Sequence, residues 1–286
     1  HSYLWSTGAT TEDLDSIGAG TYVITATDTN GCQTTQTVII TEPDSLLSTY
    51  TTSASASDWN GYDIQCNGGD NGEITMDVTG GIDSLAYTYD IDGASNGSNI
   101  FSSLSEGTYV ITATDANGCQ TTQTVDMIAP DSSVVLTYTQ SNYNGVGVSC
   151  HGDTNGFINT FVEGGVLDYS FLWSTGDTTP SIDTIGFGSY TVTVTDANGC
   201  IDSETITVSE PDEYVSSYVI TSINNSFGVS CNGSTDGSID ITVDGGTSPH
   251  SYLWSTGATT EDLDSIGAGT YVITATDTNG CQTTQT

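Results

Sequence analysis

Not one lysine or arginine occurs in 286 residues, against 36 Asp and Glu. A chain without cationic side chains cannot neutralise phosphate, which excludes nucleic-acid binding and docking on anionic membranes. Long apolar runs are missing too: no stretch approaches the roughly 20 residues that span a bilayer, so direct membrane insertion is excluded. No signal peptide is visible, as expected of a segment from inside a longer secreted protein. There is no Cys-x-x-Cys and no His pair, which argues against a thiolate metal centre. The three histidines, His1, His151 and His250, are expected in solvated loops. Ser and Asp are so evenly spread that no catalytic triad stands out, and no catalytic residue or enzymatic activity is expected.

What is present is repetition. Residues 1–37 recur letter for letter as 250–286, an offset of 249 positions. A shorter unit lies inside: the strings ending at Cys32, Cys119, Cys200 and Cys281 all read Thr-Asp-(Ala/Thr)-Asn-Gly-Cys. With Pro43, Pro130 and Pro211 as punctuation, the chain divides into 1–43 (the C-terminal part of a module), 44–130, 131–211 and 212–286 (a module lacking its last strand). Three modules make one period. Copying of this kind builds fibres, stalks and multivalent surfaces rather than active sites.

Each module reads as all-β. Ile74, Met76 and Val78 alternate with polar residues, as do Ile158, Thr160 and Val162, and Ile239, Ile241 and Val243. That period of two marks strands with one buried face. Several such strands in about 80 residues, separated by Gly, Asn and Asp turns, predict an immunoglobulin-like β-sandwich, repeated in tandem as a rod or filament. Trp173 and Trp254 are expected in the core, with Tyr89 at that position in 44–130. The linkers Glu42-Pro43-Asp44, Ala129-Pro130-Asp131 and Glu210-Pro211-Asp212 are too short to bend freely.

The cysteines at 66, 119, 150, 200, 231 and 281 place one before the first strand of each glycine-paired hairpin and one in the last turn. If the four strands from the first cysteine onward alternate in direction, the start of the first and the end of the fourth lie at one pole, which would bring the two sulfurs together. Pairing within modules (Cys66 to Cys119, Cys150 to Cys200, Cys231 to Cys281) is therefore expected over pairing across borders (Cys119 to Cys150, Cys200 to Cys231), with Cys32 bonded outside residues 1–286. The same reasoning gathers Asp70, Asp115, Asn117, Asp153, Asp196, Asn198, Asp236 and Asp277, hard oxygen donors suited to calcium. Asp-x-Asn-Gly is also simply a turn sequence. No other cofactor is implied.

The strings Cys-(Asn/His)-Gly-x-x-(Asn/Asp)-Gly, a strand ending in paired glycines, Trp-Ser-Thr-Gly, and Gly-x-Tyr leading to Thr-Asp-x-Asn-Gly-Cys resemble the SprB-type repeat of large surface adhesins of Bacteroidota. The second module departs from it, with Tyr87 to Asp92 in place of Trp-Ser-Thr-Gly and an insertion around Ala94 to Asn99. The resemblance implies export, surface display, and adhesion or filament formation. It also implies O-glycans at Asp-(Ser/Thr)-apolar triplets, here at Ser16, Ser45, Ser84, Thr184 and Ser265. The expected function is a structural or adhesive part of an extracellular fibre whose partner is itself. The alternative is a multivalent array binding surface glycans or another ligand through loop aromatics, of which Trp59, Tyr62 and Tyr143 are the candidates.

Overall fold

The alternating segments fold as antiparallel strands, and the computed structural model describes residues 1–56, 59–82, 87–222 and 227–286. Residues 1–43 form β1 (Ser2–Trp5), β2 (Gly20–Thr27) and β3 (Gln33–Ile40). Residues 44–130 form β4 (Asp44–Thr52), a single helical turn α1 (Ser53–Ala56), β5 (Gly72–Gly81), β6 (Thr88–Ile91), β7 (Ala94–Asn96), β8 (Ile100–Leu104), β9 (Gly107–Thr114) and β10 (Gln120–Met127). Residues 131–211 form β11 (Val135–Gln140), β12 (Gly156–Glu163), β13 (Ser170–Trp173), β14 (Ser181–Ile185), β15 (Gly188–Thr195) and β16 (Ile201–Val208). Residues 212–286 form β17 (Val215–Ile220), β18 (Gly237–Asp244), β19 (Ser251–Trp254), β20 (Leu263–Ile266), β21 (Ile273–Thr276) and β22 (Gln282–Gln285). The chain divides into two compact units, His1–Ile64 with Gly68–Ala129, and Pro130–Thr286 together with Gln65–Asn67.

Residues 131–211 give the plan. One sheet has the order β11-β12-β14 and the other β13-β15-β16. Between them Ile158, Trp173, Val192, Val194, Ile206 and Val208 are buried, which is the two-sheet core that period-two alternation implies. Trp173 is 2% exposed, and its ring N–H donates to the carbonyl of Thr179 at 2.8 Å. Trp254 repeats this with Thr260 at 3.0 Å. Each module also closes a tyrosine corner, a hydroxyl donating to the carbonyl four residues upstream: Tyr22 to Gly18, Tyr109 to Ser105, Tyr190 to Gly186 and Tyr271 to Gly267. The fold is a tandem array of immunoglobulin-like sandwiches.

Three expectations change. Residues 212–286 hold the first half of their last strand: β22 pairs with β21 from Gln282 against Thr276 to Gln285 against Ile273, four residues against the eight of β16. In 44–130 the register opposes Ile91 to Ile111 and Tyr89 to Ala113, while Trp173 opposes Val192 and Phe171 opposes Val194. Ile91, not Tyr89, thus takes the tryptophan position, because Tyr89 lies one inward step earlier on the strand. The insertion becomes β7, which extends that sheet to the order β10-β9-β6-β7.

The paired glycines turn the chain at the end of each first hairpin. Gly164 and Gly165 sit at φ of 73° and 65°, and a Cβ on Gly164 would land on the carbonyl oxygen of Ser133. Gly152 also has positive φ, 77°, but faces open space. Gly164→Ala is expected to cost about 3 kcal/mol, and Gly152→Ala only about 1 kcal/mol, because only the first adds a backbone clash to left-handed strain. Urea denaturation of the two variants checks the difference.

Candidate functional site

Strand direction decides where the cysteines go. β13 and β14 each oppose only part of the strand they pair with: β13 covers Thr195 to Val192 of β15, and β14 covers Asn159 to Gly156 of β12. They run in the same sense, one in each sheet, and together make a single traverse. Only three traverses (β12, then β13 with β14, then β15) separate Cys150 from Cys200, so the two lie at opposite poles. An eight-residue strand spans about 26 Å, whereas a disulfide needs Cα atoms within about 7 Å. Pairing within a module is therefore sterically excluded.

The bonds run onward instead, Cys66 to Cys200 and Cys150 to Cys281. This corrects the expected pairs Cys66–Cys119, Cys150–Cys200 and Cys231–Cys281, and differs as well from pairing across adjacent borders. Each bond joins the first cysteine of one module to the turn cysteine of the next. Cys32, Cys119 and Cys231 are free and exposed.

The Thr-Asp-x-Asn-Gly-Cys turn supplies both halves of this junction. Its aspartate serves its own module: Asp196 Oδ1 accepts from the N–H of Asn198 and Cys200 at 2.9 and 2.8 Å, and Oδ2 from Val166 just past the paired glycines at 2.8 Å. Asp115 does the same with Asn117, Cys119 and Ile82. Asp277 reaches Cys281 and Thr247. A Cβ on Gly165 would meet Asp196 Oδ2 at 2.7 Å, so the second glycine clears the way for this carboxylate. The turn glycine provides the positive φ, 87° at Gly199 and 89° at Gly280.

The asparagine serves the preceding module. Asn198 Nδ2 donates to the carbonyl of Gln65 at 3.1 Å while its own carbonyl accepts from Gln65 Nε2 at 2.8 Å. Asn279 Nδ2 likewise donates to the carbonyl of Ser149 at 3.1 Å, lies 3.3 Å from that of Tyr143, and its Oδ1 accepts from Asn144 at 2.6 Å. Asn198 is 6% exposed at its closed junction, whereas Asn30 and Asn117 are exposed in turns whose cysteines are free.

The receiving loop is braced by its own module. Gly147 and Val148 donate to the carbonyl of Ser209 at 2.8 and 3.1 Å, which holds the loop against the exit of its own last strand. Asp63 and Ile64 do the same to Ile128. Ser149 N–H donates to Asn155 Oδ1 at 3.1 Å and its hydroxyl to Asp153 at 2.6 Å. In the next module Ser230 N–H donates to Asp236 at 3.1 Å, which explains the Asn/Asp position of the motif. The Ser230 side chain and backbone hold the Asp236 carboxyl below its ordinary value. Asp115, Asp196 and Asp277 spend their oxygens on backbone N–H groups, Asp70 is exposed, and among the described residues no cluster of three His, Cys, Asp or Glu side chains exists.

Other sequence candidates are placed as follows. Ser16, Thr184 and Ser265 are exposed at φ of 57°, 58° and 58°. For Thr184 and Ser265 the cause is a bulge, because the strand pairing steps from Ile185 to Asp183 and from Ile266 to Asp264. Ser45 is exposed, and Ser84 lies outside the described residues. Trp59, Tyr62 and Tyr143 are half-buried, with the Tyr143 hydroxyl bonded to the carbonyl of Asn155 at 3.1 Å. His250 is not a solvated loop residue: its ring packs 5.0 Å from that of Tyr214. It stands where Tyr87 and Tyr169 donate to Gly80 and Gly164, and its Nε2 is buried with no hydrogen-bond partner. His151 faces Glu210 at 3.5 Å. Burial, then the hydrogen bond to Glu261, pushes Tyr252 up to about 12.

The family's sequence model matches two stretches, residues 62–96 and 228–259, each starting just before the receiving cysteine and ending beyond the paired glycines. The chain contains SprB repeats. No curated protein matches it by sequence. Among solved structures, the tetra-tandem repeat from the extending region of a large adhesion protein aligns over 99% of this chain and 88% of its own, at 15% identity and a TM-score of 0.26. The N-terminal eight Ig domains of Down syndrome cell adhesion molecule align over 93% of this chain at 11% identity and a TM-score of 0.27, and the SprB-repeat chain spans 50% of that structure's length. A Bacteroides ovatus mixed-linkage glucan utilization protein, SGBP-B, solved with a heptasaccharide, aligns over 74% of this chain and 59% of its own at 18% identity and a TM-score of 0.17.

The backbone bond from Ile82, with those from Cys119 and Asn117, lowers the Asp115 carboxyl below its ordinary 3.8. A depressed carboxylate contributes stability above its unfolded pKa and loses it as pH falls through the folded one. Asp115→Asn is thus expected to be less stable than the parent at pH 7 and equal to it well below pH 3.8. Urea midpoints at the two pH values check this.

Proposed function

We propose that the chain is a length of an extracellular, surface-displayed fibre, structural and adhesive rather than enzymatic, in which SprB repeats are bonded covalently from each module to the next. The observation that carries this reading is that both disulfides leave the module in which they start. A bond inside a module would stabilise that module alone, whereas these pass tension from module to module. The loops they close overlap, since Cys150 lies between Cys66 and Cys200. Closing 134 residues also constrains the unfolded chain by about 5 kcal/mol on the loop-entropy model. The partner of such a fibre is its own neighbouring modules.

Pulling on the ends tests whether the junctions carry tension. The shortest covalent path runs to Cys66, across to Cys200, back to Cys150 and across to Cys281, bypassing residues 67–149 and 201–280, so full extension of the oxidised chain should fall short of the reduced chain by about 55 nm. Equal contour lengths in single-molecule force measurements with and without reductant would overturn the reading.

The exposed hydroxyls of Ser16, Ser45, Thr184 and Ser265 are proposed as acceptors for O-glycans on the outer face of this fibre. Intact mass of native material should exceed that of the bare polypeptide by whole hexose or related increments. A mass equal to the polypeptide ends this part of the proposal.

A further inference from the structure

Two junctions are closed, and a third is present in separated halves. The receiving half is the loop at Cys231, free and exposed, with Ser230 N–H already braced by Asp236 as Ser149 is by Asn155. The entering half is the turn at Cys119, also free and exposed, with Asp115 already holding Asn117, Cys119 and Ile82 as Asp196 holds its own turn. We propose that the loop at Cys231 receives the Asp115-to-Cys119 turn of the following 249-residue period of the same repetitive chain, forming a disulfide from Cys231 to that copy of Cys119, so that the junctions continue without a gap.

The assignment rests on the fibre reading above and on register. Both observed bonds skip from a receiving cysteine to the turn cysteine of the next module, with separations of 134 and 131 residues. In a chain of period 249, the module after 212–286 is of the 44–130 kind. Its turn cysteine would stand 137 residues beyond Cys231. The turn at Cys32 is a poorer occupant. It copies the turn at Cys281, whose receiving loop, at Cys150, is already bonded. In the closed junctions the entering asparagine donates to the carbonyl just before the receiving cysteine, so Asn117 of the next period is placed on the carbonyl of Ser230. Bond formation takes two electrons and two protons from the two thiols. A small-molecule disulfide in the surroundings accepts them and leaves as two thiols.

Thiol counting decides the matter. The 286-residue chain, refolded in a glutathione redox buffer and unfolded without reductant, should titrate three thiols, those of Cys32, Cys119 and Cys231. A chain lengthened by one 249-residue period gains six cysteines. With the third junction closed it still titrates three thiols, because each added period consumes as many as it brings. With that junction open it titrates five, which would overturn the proposal. Mapping of non-reduced peptides should find Cys231 joined to the turn that carries Ala116 rather than to the otherwise identical turn that carries Thr29. The absence of Lys and Arg makes cleavage at Asp or Glu the practical choice. Three thiols with Cys231 bonded elsewhere would also overturn it. Five thiols together with the full hidden length of about 55 nm in the 286-residue chain would sink this junction and leave the fibre reading standing.

Discussion

A disulfide reaches about 7 Å between Cα atoms, and one eight-residue strand is about 26 Å long; most of what distinguishes this chain follows from that mismatch. Three traverses put the two cysteines of a module at opposite poles, so neither can bond the other. Each pole instead faces a neighbour. The exit pole carries the receiving loop, clamped to the end of its own last strand through Ser209 or Ile128, and the entry pole carries the Thr-Asp-x-Asn-Gly-Cys turn. The sandwich does not need the disulfide to hold its own core. The bond is spent on the junction.

Having no cationic side chain shapes the chemistry of that junction. In a chain with 36 acids, ion pairs are unavailable apart from contacts to histidine, such as His151 with Glu210. Buried carboxylates must then find neutral donors, and the backbone N–H groups at the paired glycines and in the turn are those donors. Asp115, Asp196 and Asp277 tie the last hairpin of a module to the corner after its β5-type strand. Contacts between modules are made by amides, Asn198 with Gln65 and Asn279 with Asn144 and Ser149, which carry no charge and add nothing to the self-repulsion of the chain.

Much of the architecture was legible in the letters. Period-two alternation located the strands, the paired glycines located the corners, and Trp173 and Trp254 are in the core where the pattern put them. The disulfide error is one of counting. The four-strand count ran through the last strand, but the turn cysteine stands before it, and Ser170–Trp173 with Ser181–Ile185 make one traverse divided between two sheets. Three traverses rather than four put every turn cysteine at the opposite pole. A one-step register difference likewise exchanged Tyr89 for Ile91, and only the pairing partners Ala113 and Ile111 distinguish the two. The asparagine of the turn was read as a turn former or cation ligand, because its carbonyl partners lie in another module, more than 130 positions away.

The duplicated segment separates the two kinds of information most cleanly. Leu14 to Ile17 and Leu263–Ile266 have the same sequence, yet only the second is a strand. It pairs with β18, which buries Leu263 to 6% exposure and Trp254 to 3%, whereas Trp5 stays half-buried in the three-stranded sheet of residues 1–43. Sequence alone determined which faces are apolar, where the chain turns and that the unit recurs, since these depend on residues close together along the chain. Which strand is completed, and which cysteine meets which, was decided only by tertiary structure. Those outcomes depend on whether a partner from elsewhere in the fold arrives at the same pole.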